Sequence, residues 1–445
     1  MKRTRYVICG LSLRGIYHFV LPIIGKNWEG GTNFNDRAEL VGILDIDRGR
    51  VEAFLKQFGL QIPFYPATAL AQMLKETQPD VLIASGPDVT HCEYAMAGLE
   101  AGCDVIVEKP MVINCEQVRR VQAAEKKSGH RLRVAFNYRY TPTHRRLKQM
   151  ILAGKLGRIV NVEFTYNLDV VHGSSYFYRW NRDRRFSGGL NIHKCCHHFD
   201  LINWFLGDSP AEVFAFGGLN YYGPNGALRP RDNRGRPLPG GEEKRQCPVF
   251  KKFYVDKFTP ESNEIGTGWD KFDLPYDVQY PPDQRRYIYD EAIQIEDTYN
   301  AVVRYQGGAT MSYACNFCTP WEGYTLGING TAGRIEISHH ADPDPTGKTT
   351  PADDTGRITF YPLFGGKEVI EIPPVAGGHG GADFMIQNDL LAEPSSESKD
   401  LQLVAGSHAG ADSIAMGEAV MRSIQSKQAI QIEALLAGRV QPSSS

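Results

Sequence analysis

The stretch RYVICGLSLRG, residues 5–15, decides how the rest of the chain is read. Its first half is a short apolar run of the kind that forms a buried strand, and Gly10 interrupts it. The turn that follows, Gly10-Leu11-Ser12-Leu13-Arg14-Gly15, has the spacing of a dinucleotide-binding fingerprint, with Ser12 where a second glycine usually stands. Glycine suits that place because the backbone must approach a pyrophosphate held at the N-terminus of the next helix. Serine is small enough for the same approach. An ordinary strand–helix turn could carry the same letters, so the neighbouring segments decide.

They do so by alternation. Strands are expected at 5–9, ELVGILD (39–45), DVLIAS (80–85), DVIVE (104–108) and RLRVAF (131–136). Between them, RVEAFLKQF, THCEYAMAGLEAG and CEQVRRVQAAEKKSG carry helical apolar spacing. Such alternation predicts a parallel sheet covered by helices on both faces. The second strand ends at Asp45, where a carboxylate can accept hydrogen bonds from both adenosine ribose hydroxyls and repel a 2′-phosphate. That favours NAD, with NADP the lesser expectation. The polar stretch NWEGGTNFNDR (27–37) accounts for the long spacing before Asp45. The bland alternative is that Asp45 only caps the next helix.

A chain of 445 residues can hold two or three domains. The apolar share of 42% and charged share of 22% suit a soluble globular protein. A net charge of −2 gives no basic excess for nucleic acid or a membrane surface. No long apolar run and no signal-like start are visible. The nine cysteines are scattered and odd in number, which does not suit a disulfide framework. A reducing cytoplasm is the expected home.

SGPDVTHCEYAMAGLEAGCDVIVEKP (85–110) and FNYRY (136–140) resemble the Gfo/Idh/MocA oxidoreductases, with Glu108-Lys109-Pro110 on that family's EKP motif. Similar segments continue at 296–313, 329–338 and 412–432. The resemblance implies an N-terminal Rossmann domain, 1–138, and a C-terminal α/β domain, 139–445, built on a large open, mainly antiparallel sheet. A closing helix at about 410–428 would pack back on the first domain. NAD(P) would lie across the strand ends, against Gly10, Ser12, Leu13, Arg14, Gly15, Asp45, Ser85, Pro87, His91, Glu108, Lys109 and Asn137. A sugar, polyol or related alcohol would bind between the domains, and the chain would form a homo-oligomer, a dimer or tetramer. Lys109 would stand beside the nicotinamide and the reacting hydroxyl, where an ammonium stabilises a developing alkoxide. A cis bond before Pro110 would help to aim it.

Residues 187–207, SGGLNIHKCCHHFDLINWFLG, hold six consecutive proton- or metal-binding side chains. The spacing predicts one helix over 190–206, with His193, His197, Asp200 and Trp204 on one face and Lys194 and His198 on a neighbouring stripe. Where most of the family carries Asp-x-Gly-x-His, this chain has His193 and His197, and HKxxHHFD resembles a subgroup that oxidises ring hydroxyls of glycosides. Histidines at i and i+4 are also a familiar metal pair. Cys195 and Cys196 are rotated away from them on a helix, and Lys194 would repel a cation, so acid–base work is preferred and no metal is expected. His197 is assigned as general base, with Lys109 and Lys194 as oxyanion stabilisers and His193 as relay. Which of His193, Lys194 and His197 is the base stays open.

Residues 176–186, YFYRWNRDRRF, bring aromatic rings that can pack on a sugar face and arginines that can grip hydroxyls. Tyr178, Arg179 and Trp180 are substrate candidates, together with Arg139, His198 and His379. The Pro-rich stretch 223–293 reads as an extended insertion. Cys315-x-x-Cys318 reads as structural, since i and i+3 face opposite ways on a strand. The expected activity is NAD-dependent oxidation of a sugar or glycoside ring hydroxyl, at C3 by the subgroup resemblance. Glycoside cleavage through transient 3-oxidation and β-elimination is one alternative. A non-catalytic NAD-binding regulator on the same fold is another.

Overall fold

A computed structural model describes residues 2–27, 30–247, 287–341, 356–373, 375 and 381–439. In chain order its strands are β1 (Thr4–Cys9), β2 (Ala38–Asp45), β3 (Phe64–Pro66), β4 (Val81–Ala84), β5 (Asp104–Val107), β6 (Leu132–Val134), β7 (Ile159–Asp169) and β8 (Pro210–Gly218). There follow β9 (Thr298–Tyr305), β10 (Thr310–Thr319), β11 (Glu322–Gly330), β12 (Gly333–Ala341), β13 (Gly356–Pro362), β14 (Glu368–Ile372), β15 (Ala405–Gly406) and β16 (Ile430–Gln431). They form two sheets, ordered β15-β6-β5-β4-β1-β2-β3 and β14-β13-β12-β11-β7-β10-β9-β8-β16.

In the first sheet β1 to β6 pair in parallel, and only β15 runs antiparallel, against β6. VLIA and the apolar part of DVIV are buried without alternation, because helices cover both faces. The second sheet is antiparallel except where β10 pairs with β7. Its TYNAVVRY strand alternates buried and exposed residues, so one face packs on the core. The expected strands and helices of the first sheet are present within a residue or two. The short β3 and the late arrival of β15 are additions that the apolar pattern of the first 137 residues did not contain.

Two late helices pack back against the N-terminal half of the chain. In Ser407–Ser426, Glu418 Oε2 accepts from the Cys115 N–H at 2.6 Å, and the Gly417 carbonyl accepts from Asn191 Nδ2 at 2.7 Å. In Ala382–Leu391, Gln387 Nε2 donates to the Tyr17 carbonyl at 3.1 Å. Gly381 holds the cap position, and the buried Asp383 carboxylate lies 3.3 Å from His18 Nε2.

The single helix expected over 190–206 is two: Leu190–His193 and Cys196–Leu206, with Lys194 and Cys195 at the break. The face predicted to join His193 to Asp200 and Trp204 is therefore not continuous. The proline-rich insertion is described at 223–247 and 287–293, where it supplies one short helix, Gly240–Gln246. The rest of it, and residues 342–355, lie outside the described residues. Among the described residues no helix is long and apolar enough to cross a membrane.

Candidate active site

The turn after β1 is held by its neighbours in the form that the fingerprint requires. Gly10 sits at φ +91°, and a Cβ there would come within 2.5 Å of the Gly86 Cα and N. The Ser85 hydroxyl donates to the Gly10 carbonyl at 2.6 Å. Ser12 caps the new helix, its Oγ accepting from the Gly15 N–H at 3.0 Å, so the serine that replaces the second glycine has a use. Asp45 is buried and accepts from the Leu11 N–H at 2.7 Å and the Asp47 N–H at 2.9 Å. Its expected reach to a ribose is thus combined with clamping the turn, and each carboxylate oxygen keeps a lone pair beyond these bonds. A cradle that a side chain would fill, with a carboxylate at the end of β2, fits a dinucleotide. Leu13 lies half-buried in the same turn and Pro87 at the end of β4.

Arg14 joins this turn to the motif at the end of β5: its Nε lies 3.2 Å from Glu108 Oε1, and a second nitrogen lies 3.6 Å from Asp383. Glu108 also accepts from the Lys109 N–H at 3.2 Å. Asn137, buried just after β6, has an Oδ1 with no partner among the described residues. His91 departs from the expectation of a cofactor contact. Its ring nitrogens lie 2.7 Å from the Pro110 carbonyl oxygen and 3.0 Å from that of Gly86, so both are occupied by backbone. It braces the two turns against each other.

The Lys109–Pro110 bond is cis. Lys109 Nζ donates to the His193 carbonyl at 3.3 Å, at the break between the two short helices. His193 Nδ1 lies 2.5 Å from Asp88 Oδ2, and its Nε2 lies 3.2 Å from Asn181 Nδ2. Burial, with Lys109 and Arg179 nearby, holds the His193 imidazole well below its usual range. Burial pushes Asp88 up to about 7 against the pull of His91 and Lys109. Burial thus disfavours the charged form of both partners. Asp88 was not among the residues expected here, although a carboxylate just past a parallel strand's C-terminal end is a usable signal.

His197 lies flat on Tyr138, with ring centroids 4.4 Å apart and 15° between the planes. Its Nδ1 is buried without a partner among the described residues, and burial together with Lys109 and Lys194 holds the imidazole well below its usual range. The Tyr138 hydroxyl lies 3.1 Å from that of Tyr166, which donates to Glu322 at 3.4 Å. Glu322 in turn lies 2.8 Å from His172 Nδ1. Burial pushes Glu322 up, but His172 and Lys194 outweigh it and leave the carboxyl at about 2. Lys194 is buried with its ammonium 5.1 Å from the centre of the Tyr166 ring. Tyr138, Tyr166, His172 and Glu322 come from three separate segments, which is why no local spacing announces them.

The substrate candidates divide. Trp180 meets His193 edge-on at 5.5 Å, and Arg179, anchored on Ser175, lies 5.7 Å from the Tyr176 ring beside it. Tyr178 is instead buried in the hydrophobic core. Arg139 is not free for a ligand: its guanidinium grips the buried Asp200 at 2.6 and 2.8 Å and the Gln402 carbonyl at 3.0 Å. His198 is fully buried beneath the site, its Nδ1 2.7 Å from the Tyr313 hydroxyl. His379 lies outside the described residues. The metal question also changes place, because the one His/Cys grouping among the described residues is Cys195, His198 and Cys315, with ligand atoms within 4.8 Å of one another. The helix break, absent from the helical geometry first assumed, turns Cys195 toward β10. His193 and His197 are not part of it. Cys315 is buried and Cys318 partly exposed, as opposite faces of a strand require.

The family described as "Oxidoreductase family, NAD-binding Rossmann fold" matches residues 5–136, and its "C-terminal alpha/beta domain" matches residues 148–432. The chain belongs to the Gfo/Idh/MocA oxidoreductase family and, with it, binds NAD(H) through the first sheet. It is 41% identical over 438 residues to the Bacillus subtilis (strain 168) protein YteT, named as an oxidoreductase, covering 96% of this chain and 98% of that one. Over 175 residues it is 29% identical to glucose-6-phosphate 3-dehydrogenase of the same organism, 39% of this chain and 47% of that one. A solved levoglucosan dehydrogenase, in complex with NADH and levoglucosan, has the same fold at a TM-score of 0.63 and 16% identity, covering 97% of this chain and 100% of that one.

Proposed function

We propose that this chain oxidises a ring hydroxyl of a sugar or glycoside, at C3, using NAD. The observation that carries the reading is the meeting of the Lys109 ammonium, the Asp88–His193 pair and the neutral His197 at one helix break. When bound, NAD supplies the acceptor for the hydride of the carbinol carbon. Lys109 donates to the alcohol oxygen and stabilises the charge that develops there. His197, unprotonated at neutral pH, takes the hydroxyl proton. Asp88 fixes the ring orientation of His193, which relays that proton or holds a second hydroxyl. The 3-dehydrogenase and levoglucosan dehydrogenase relatives support a cyclic sugar as the substrate class.

A sugar panel incubated with NAD, followed by NADH absorbance and product mass, tests the reading. A product two mass units lighter with one NADH per turnover is expected. Release of the aglycone without net NADH would replace it with transient oxidation and elimination. No turnover at all, with NAD bound, would point to a regulator.

Asp45 leads to an expected cofactor preference: the Kd for NAD should be lower than that for NADP, because the buried carboxylate repels a 2′-phosphate. Arg50 Nη1, 3.8 Å from Asp45 Oδ2, is the group that could reverse it, and tighter NADP binding would show that it does.

Turnover is expected to survive exhaustive chelation, since the acid–base groups do not converge as a ligand set. Activity lost to a chelator and restored by one cation would sink the acid–base reading. An anomalous-scattering peak between Cys195, His198 and Cys315 would place that cation.

A further inference from the structure

Lys194 stands apart from the other buried lysine of the described residues. It is only 6% exposed, yet among the described residues no carboxylate lies within 4 Å of its ammonium and no oxygen accepts from it; the ammonium faces the Tyr166 ring. Lys148, buried to a similar degree, donates to the Trp204 carbonyl at 2.5 Å, and burial lowers it to about 8. Burial lowers Lys194 too, but its neighbours, the Glu322 carboxylate among them, raise it above the usual lysine range. A buried charge without a hydrogen-bonded counter-ion is costly, so this one is built to meet its partner when a ligand binds.

The protein's own carboxylates are already engaged. Glu322 is held by His172 and Tyr166, Glu108 by Arg14, and Asp88 by His193. Among the described residues, the ammonium of Lys109 likewise has only the His193 carbonyl as a hydrogen-bond partner. The site thus holds two ammonium groups with no carboxylate in contact with either. One serves the reacting oxygen in the reading above. A neutral hydroxyl could accept from the second without neutralising it, whereas a carboxylate does both.

We infer that the sugar taken by this site is an acidic one, a uronic acid or uronide, whose carboxylate seats against Lys194. The inference rests on the sugar oxidation proposed above and adds the substrate class. Matched pairs test it: methyl glucuronide against methyl glucoside, and methyl galacturonide against methyl galactoside. Binding to the full chain saturated with NADH is measured by calorimetry, and turnover with NAD by NADH formation.

In at least one pair the acid should bind on the order of 10- to 100-fold more tightly than its neutral partner, the scale of a buried charge-assisted pair. Lys194→Met should erase that ratio and Lys194→Arg keep part of it, with thermal unfolding in NADH confirming that both variants fold. The inference is overturned if no acid binds more tightly than its neutral partner, or if the preference survives in Lys194→Met. An acid that binds preferentially but is never oxidised upholds acid recognition and overturns the oxidation. Equal oxidation of acid and neutral partners does the reverse.

Discussion

Lys109→Ala should lower kcat by about 10²–10³, the usual scale for losing one donor to a developing oxyanion. His197→Ala should lower it by about 10²–10⁴, the range for a positioned general base. The double variant should lose far less than the product of the two, since both groups act on one O–H bond. NAD binding should persist in all three, because the fingerprint turn and Asp45 lie at other strand ends. The pH profile gives a separate reading. A base acts when unprotonated, and burial together with Lys109 and Lys194 lowers His197, so kcat/KM should rise along a limb below pH 6.5. That limb should vanish in His197→Ala. Near-full turnover in His197→Ala, with turnover lost in His193→Ala, would move the base to the Asp88–His193 pair.

Replacing Arg139 should act on stability instead. Arg139→Met leaves Asp200, 1% exposed, without its bidentate partner, and breaking such a buried pair costs about 3–5 kcal/mol. The midpoint of denaturant unfolding should fall accordingly. Adding Asp200→Leu should recover much of the loss, because a pair replaced by apolar groups leaves no buried charge behind. A substrate-binding arginine would behave otherwise, raising KM with the unfolding midpoint unchanged, and that result would restore Arg139 to the site. The contrast with Lys194 is instructive: both are buried cations, but only Arg139 has a carboxylate of its own.

The amino-acid order alone determined five strands of the first sheet, β1, β2, β4, β5 and β6, because apolar strands buried on both faces alternate with helices of helical apolar spacing, leaving a pattern that can be read locally. It also placed Gly10, Ser12, Asp45 and Glu108-Lys109-Pro110, since each stands at the end of a strand whose limits the same period marks. The active-site helix was legible in its residues but not in its shape. Helical spacing projects 190–206 as one rod, whereas the chain breaks at Lys194 and Cys195, with Lys109 bonded to the His193 carbonyl at the break. That break turns Cys195 toward β10 and His193 toward Asp88, and the spacing of neither pair in the chain hints at it.

Only the tertiary structure decided which charged residues are free. Arg139 and Lys194 look alike as letters, and so do His91, His197 and His198. Their roles follow from what lies across the fold: Asp200 against Arg139, two backbone carbonyls against His91, Tyr313 beneath His198, and the Tyr166 face, with no hydrogen-bonded carboxylate among the described residues, against Lys194. Local periodicity reports which side of an element is buried. The partner that a buried polar group meets there comes from distant chain, through packing that no short window contains.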